Sequence, residues 1–303
     1  MKLYILFPSF IIVYCCHNLL LVSYNSLIVE YSYFTLVASK QDPASMTMAN
    51  YLIHDKDFSV YDKKNNNEEY TSEVYKKIKL HISHESLLYI EDLDTKYPHS
   101  QAFIFLSKHR SESKIPTLTC HCTGNYADNP YGGNVRELAI SYPYLQKRYL
   151  KEINNSKLAL SYYEIIIEAS HHGPTSLKKP VLFIEIGSTE RQWIDRNAAS
   201  IVCNCLLRVL VNGLGQCEKV GIGLGGTHYP SKFNTLLLES EFGLAAVAPK
   251  HNLESVDKDM LNQMIAKSIE TVTHIIVDWK GLGKEKNRIM GLVGDTGLEV
   301  LRV

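Results

Sequence analysis

The chain has no excess charge of either sign: 32 Lys+Arg face 32 Asp+Glu over 303 residues. A general nucleic-acid-binding domain is strongly basic, so that class is excluded and any contact with nucleic acid must be local. Cysteine is scarce and odd in number, seven in all, so complete internal pairing is impossible and a disulfide-stapled scaffold is excluded. No internal repeat and no linker-like composition divides the chain. Hydrophobic residues at 45% and charged residues at 21% are those of an ordinary globular protein, which excludes disorder and collagen-like repetition.

Charge is also missing locally. From Leu3 to Val29 there is no Asp, Glu, Lys or Arg. Such a run is long enough to cross a bilayer, which takes roughly 20 apolar residues, and Lys2 followed by Leu3 to Tyr14 has the order of a secretory signal. Against both stand Pro8 inside the run, the interruption Cys15-Cys16-His17-Asn18, the lack of a small-x-small cleavage site and the single Lys2 as orientation signal. Residues 1–32 are therefore read first as an extension outside the fold, with a membrane segment as the alternative, and residues 33–303 as one domain.

Within that domain, Tyr33 to Ser39 reads as a strand, and Gln41-Asp42-Pro43-Ala44 as the start of a helix reaching Ile53. Lys63 to Glu69 reads as a surface loop. Val74–Ile82, Leu87–Ile90 and Gln101–Leu106 read as strands, Cys120 to Gly133 as a long loop, and Pro143 to Ser170 as a helical region. Pro180 to Ile186 has the continuous apolar pattern of a strand buried on both faces. After Gly187, Thr189 and Gln192 have capping-box spacing at the head of a helix running to about Val211. Val220–Leu224, Ala245–Ala248, His274–Asp278 and Leu298–Val303 read as further strands, and Asp257–Thr271 and Lys284–Leu292 as helices. The alternation predicts an α/β domain with a mostly buried mixed sheet flanked by helices.

Five segments carry residues suited to chemistry. Ser170-His171-His172-Gly173-Pro174-Thr175 puts two imidazoles on a turn, where they suit a metal or a general base, or merely a helix end. Glu185 is a carboxylate near the end of a buried strand, which is costly unless it is paired or bound to metal. Gly221, Gly223 and Gly226 satisfy G-x-G-x-x-G, but Tyr229-Pro230 stands where the fingerprint's helix must continue, so a dinucleotide site is rejected. The glycines are read instead as a loop that projects His228. His121 stands beside Cys120 and Cys122, but on an extended strand it points away from both. Asp278-Trp279-Lys280-Gly281-Leu282-Gly283-Lys284 suits an anion at a helix start, or a plain turn with solvated lysines.

Taken together, His171-His172-Gly173-Pro174-Thr175, Phe183 to Glu190, Gly225-Gly226-Thr227-His228-Tyr229-Pro230 and Asp278 to Gly283 resemble the D-aminoacyl-tRNA deacylases of the archaeal and plant type. Thr123-Gly124-Asn125 and Ala38 to Ser45 resemble them too, and the likeness covers about residues 33 to 303. It implies an α/β fold of the kind shared with peptidyl-tRNA hydrolases and nucleoside phosphorylases. It also implies hydrolysis of the ester of D-aminoacyl-tRNA, releasing D-amino acid and tRNA as chiral proofreading, by a cytoplasmic, monomeric enzyme with no DNA or membrane partner. Zinc, two ions per subunit, is the implied cofactor; it lowers the pKa of bound water to about 7 and polarises a carbonyl. On that resemblance the expected metal ligands are His171, His172, Glu185 and His228. The expected catalytic residues are His172, Glu190 and Thr175. Substrate contacts are expected from His121 (also a reserve ligand), Thr123, Gly225, Gly226, Lys280 and Lys284, with Arg191 as a further phosphate contact. Two other readings stay open: a metal-independent deacylase assisted by the tRNA ribose hydroxyl, and a non-catalytic nucleotide- or phosphate-binding protein.

Overall fold

The computed structural model describes residues 32–64 and 67–303, together with the backbone of three short strands before them, β1 (Tyr4–Phe7), β2 (Phe10–Cys15) and β3 (Asn18–Ser23). These three pair antiparallel with one another in a sheet of their own. The reading of residues 1–32 as an extension otherwise lies outside the described residues. Among the described residues no helix is long and apolar enough to cross a membrane.

Two further sheets build the body. Eight strands are β4 (Tyr33–Ser39), β5 (Ser59–Lys64), β6 (Asn67–Thr71), β7 (Ile78–Ser83), β8 (Ser100–Arg110), β9 (Thr117–His121), β10 (Glu164–Ile167) and β11 (Val181–Ser188). They lie in the order β10-β9-β11-β8-β4-β7-β6-β5. The centre is parallel, while β9 runs antiparallel to β11 and β6 antiparallel to β7 and β5. The second sheet is parallel throughout and has four strands: β12 (Lys219–Leu224), β13 (Phe242–Ala248), β14 (His274–Val277) and β15 (Glu299–Arg302), in the order β13-β12-β14-β15. The α/β class and the mixed sheet flanked by helices are as the sequence predicts.

The two faces of β11 divide the work. Leu182, Ile184 and Ile186 enter the main core with α1 (Pro43–Asp55), α3 (Pro143–Asn155) and α5 (Arg196–Val211), while Val181 and Phe183 enter a second cluster on the opposite face. Phe183 and Glu185 share that opposite face by the two-residue period of a strand. The main core takes in Phe233, Leu244 and Val247 from the region of the four-stranded sheet, so the two sheets share one interior. Helix starts follow their caps. Asp42 Oδ1 accepts from Ser45 N at 2.9 Å ahead of Pro43, Asp195 caps α5, and the Thr189/Gln192 capping box forms at α4 (Glu190–Trp193).

Several local readings need correction. Lys63 to Glu69 belongs largely to the β5–β6 hairpin, because its charges pair across the strands, as Lys63 does with Glu68. Leu87–Tyr89 is a 3-10 turn, not a strand. The helical region after Pro143 stops at Asn155, and the β-branched Ile165-Ile166-Ile167 forms β10 beside β9. Thr117–His121 is a fully buried strand, so Cys120 and His121 precede the long loop. The helix after Gly187 breaks between Trp193 and Arg196, where Asp195 caps the second piece. Gly221 and Gly223 lie inside β12, in keeping with rejection of the dinucleotide fingerprint.

Candidate functional site

At the ends of β8, β10 and β11, against the loop after β12, five histidines and two glutamates converge. Glu185 pairs across the sheet with Thr119 and Ser107, and one row further on Gly187 pairs with Thr117 and His109. A Cβ at Gly187 would lie 2.4 Å from the carbonyl oxygen of His109 and 2.6 Å from its Cβ, so only glycine lets β8 and β11 approach here. His109 uses that space to bring Nδ1 within 3.2 Å of Glu168 Oε1 and 3.3 Å of Glu185 Oε2. Glu168 follows β10 directly and is 3% exposed.

The other imidazoles pack on one another. His171 stands 4.1 Å from His121, 4.3 Å from His172 and 4.6 Å from His228, between ring centroids. Three of them are oriented by main chain: Nδ1 of His121 donates to Cys122 O at 3.2 Å, that of His171 to Ala169 O at 2.8 Å, and that of His172 to Gly173 O at 2.7 Å. With Nδ1 donating to main chain, Nε2 of each neutral ring is left as the possible ligand atom, as in metal-binding histidines. His172 takes φ +48, a strained conformation for a residue with a Cβ, and its loop is clamped by Gly124 N donating to His172 O at 2.8 Å. His228 Nε2 pairs with Glu168 Oε2 at 2.8 Å.

The ligand atoms fall into three overlapping trios, each within 4.8 Å: His121, His171 and His172; Glu168, His171 and His228; His109, Glu168 and Glu185. Nε2 of His121 is buried without a hydrogen bond among the described residues, and Oε1 of Glu168 is buried with the His109 ion pair as its one contact of that kind there. Buried polar atoms of this kind are costly; the two belong to different trios, and a cation held in each trio would satisfy its own, so the donor set fits zinc, whose catalytic sites use His and Glu.

Electrostatics follow from crowding. Lost hydration and the charges of His121 and His172 hold His171 well below the usual imidazole range, and His172 falls to about 3 for the same reasons. Burial opposes charge on His109 too, but hydrogen bonds and charges from Glu168 and Glu185 outweigh it and raise it to about 10. Burial likewise opposes ionisation of the two carboxylates. In Glu168 the hydrogen bonds from His109 and His228 override it, and in Glu185 those from His109 and His121, so both are lowered. Burial opposes charge on His121 as well, but its polar and charge interactions with Glu185 outweigh it, so in the metal-free site His109 and His121 are both raised beside the two carboxylates.

A cleft of about 1120 Å³ opens on this cluster, walled by Glu168, His171, His172, Glu185, Glu190 and His228 among others. Glu190 is exposed on that wall, and its carboxylate makes no hydrogen bond or ion pair among the described residues. His228 also walls a second hollow of about 480 Å³ with Gly226, Lys250, His251 and Lys284.

The expected site residues are thus distributed unevenly. His171, His172, His228, Glu185 and Glu190 meet at the cleft, although no single trio holds both Glu185 and His228. His121 is fully buried behind them as a member of the first trio. Thr175 and Thr123 stand outside the cleft wall. Thr175 Oγ1 donates to Glu137 Oε2 and accepts from Asn134 N, both at 2.8 Å, and Thr123 Oγ1 donates to Pro174 O at 2.5 Å; both brace the histidine loop. Gly225 and Gly226 take φ +102 and +81, where a turn needs glycine, and launch His228. Lys284 is on the second hollow, near Glu254 and Glu285, while Lys280 is exposed and on neither wall. Arg191 lies over the Tyr162 ring at 5.9 Å.

Sequence reading missed Glu168 and His109. Both had a signal: Ile165-Ile166-Ile167-Glu168 ends an apolar run in a carboxylate, as Phe183-Ile184-Glu185 does, and Lys108-His109-Arg110 ends the apolar run of β8. Reading β10 as helix hid the first.

Comparison with known proteins agrees with this geometry. The family model of D-aminoacyl-tRNA deacylase matches residues 96–301. A D-aminoacyl-tRNA deacylase of Cenarchaeum symbiosum is 40% identical over 199 residues, covering 66% of this chain and 76% of that one. One of Thermococcus onnurineus is 33% identical over 275 residues, covering 88% and 98%. Among solved structures, that of a conserved protein of unknown function, AF0625, is similar with a TM-score of 0.82 at 27% identity, covering 90% of this chain and 95% of that one.

Proposed function

The chain belongs to the D-aminoacyl-tRNA deacylase family, and from that premise we propose that it hydrolyses the ester joining a D-amino acid to the 3′ end of tRNA, with metal held in the His/Glu cluster. The observation that carries the reading is the convergence of five imidazoles and two buried carboxylates into three overlapping trios at one cleft, with His121 Nε2 buried and without a hydrogen bond among the described residues. The trio Glu168, His171 and His228 would hold an ion at the cleft wall, and His121, His171 and His172 a deeper one, matching the two ions the family resemblance implies. Zinc held by these residues would lower the pKa of a bound water and polarise the ester carbonyl.

The chain's own groups supply the rest. Glu190, exposed and unpartnered on the cleft wall, is free to take a proton from the attacking water without disturbing the buried network. His109, with Nδ1 toward Glu168 and Glu185, sets Nε2 3.1 Å from the Tyr229 hydroxyl, to which it donates when that nitrogen carries a proton. Tyr229 then keeps its own proton to donate into the cleft, where charge develops on the ester oxygen. The acyl–oxygen bond breaks, the amino acid leaves as its acid, and the ribose hydroxyl recovers a proton. A tRNA substrate implies a cytoplasmic enzyme, and the catalytic unit is residues 33–303.

The test is deacylation of D- and L-tyrosyl-tRNA by the full chain and by protein lacking residues 1–32, with zinc measured in each. Both proteins are expected to cleave the D-ester in preference, to lose activity on exhaustive chelation and to regain it with zinc. Equal cleavage of both esters would remove the proofreading role, and full activity in demetallated protein would favour the tRNA-assisted route.

A further inference from the structure

The cleft is far larger than an amino acid needs, and one part of its wall has no role in the chemistry above. Lys108, Arg110 and Lys114 line it at the end of β8 and beyond, and none has a carboxylate within 4 Å among the described residues. Beside them stands Trp193, half-buried. It packs against the main core, its Nε1 donates to His109 O at 2.8 Å, and the Lys108 ammonium lies over its ring at 5.6 Å. The indole is therefore fixed in orientation by the same residue whose imidazole bridges Glu168 and Glu185. An oriented aromatic surface on a cleft, with unpaired cations next to it, is what a nucleotide binds: the base stacks on the ring and the phosphate meets the cations.

We propose that Trp193, Lys108 and Arg110 form the subsite for the terminal nucleotide of the tRNA, the base lying on the indole and its 5′-phosphate between Lys108 and Arg110. The inference rests on the deacylase reading and deepens it. It sets the polynucleotide against the end of β8, rather than along Lys280 to Lys284, and leaves the region of His171, His172 and His228 to the aminoacyl group. Glu112 and Glu190 share this wall, so the grip is a local one and calls for no basic domain.

The sequence provides a direct probe, because tryptophan occurs only twice and the other, Trp279, is not on the cleft wall. In the full chain carrying W279F, adenosine 5′-monophosphate is expected to quench the remaining emission saturably, and K108A/R110A to weaken that binding. In the deacylation assay, W193A and K108A/R110A are expected to raise KM for D-tyrosyl-tRNA about tenfold or more with kcat within roughly threefold, while W193F stays near the parent. Unchanged emission with the mononucleotide, an unchanged KM in W193A, or a W193F defect as large as that of W193A would each overturn the subsite. If the full chain cleaves no aminoacyl ester, the deacylase reading falls by itself, and the fluorescence titration still decides whether a nucleotide binds at Trp193.

Discussion

Glu168 and His228 join the two sheets. The carboxylate follows the last residue of an edge strand of the eight-stranded sheet, the imidazole comes from the loop after β12, and Oε2 and Nε2 meet at 2.8 Å. Backbone contacts reinforce the junction: Ala169 N donates to His228 O at 2.9 Å and Ser170 N to Val247 O at 3.0 Å. Glu168→Gln keeps the shape and removes the charge that His109 and His228 face. Because Glu168 is proposed as a direct ligand, zinc affinity is expected to fall by more than the roughly 10–100-fold lost with an outer-shell partner, and deacylation with it. Metal analysis after dialysis against a graded chelator, beside circular dichroism to show that the fold persists, checks this.

His171 belongs to two of the three trios and His121 to one. On the proposed metal reading, His171→Ala is therefore expected to abolish binding at both trios, and His121→Ala only at the deeper one. Zinc per chain by elemental analysis separates these outcomes; equal loss in the two variants would contradict the shared-ligand arrangement.

For metal-free protein, the pH dependence of stability has a definite sign. His109 is raised from 6.5 to about 10, so its contribution is complete below about 6.5 and is lost as pH rises through about 10. Glu168 and Glu185 are lowered from 4.5, so theirs is present above about 4.5 and is lost as pH falls. The thermal midpoint after chelation is expected to be highest between those limits, and His109→Gln to flatten the alkaline limb. An alkaline limb identical in the variant would show that His109 does not carry it.

Gly187→Ala places a methyl 2.4 Å from the His109 carbonyl oxygen. Backbone cannot yield as a side chain does, so β8 and β11 must separate where His109 reaches both carboxylates. A loss of about 1–3 kcal/mol in denaturant unfolding and a larger fractional loss of activity are expected.

How legible all this was in the sequence depended on period and on distance. Continuous apolar runs such as Val181 to Ile186 announce a buried strand, and the Thr189/Gln192 spacing announces a cap, because both are local. Ile165 to Ile167 is too short to distinguish helix from strand by periodicity, and only pairing with β9 decides it. The same limit applied to the site. His171, His172, Glu185 and His228 each stood in a short segment with its own oddity. His109 and Glu168 acquire meaning only when strands distant in sequence set them 3.2 Å apart. Thr175 and Thr123 sit in the right motif, yet their hydroxyls are used to hold the turn.

A reaction centre assembled from two sheets makes catalysis a gauge of their docking. One of the three trios needs both sheets, since its His228 comes from one and its Glu168 and His171 from the other. A slight parting at the junction would silence the enzyme while every strand kept its hydrogen bonds. In mild denaturant, activity is therefore expected to vanish at concentrations where far-ultraviolet circular dichroism is still native, so secondary structure alone is a poor measure of the working fraction.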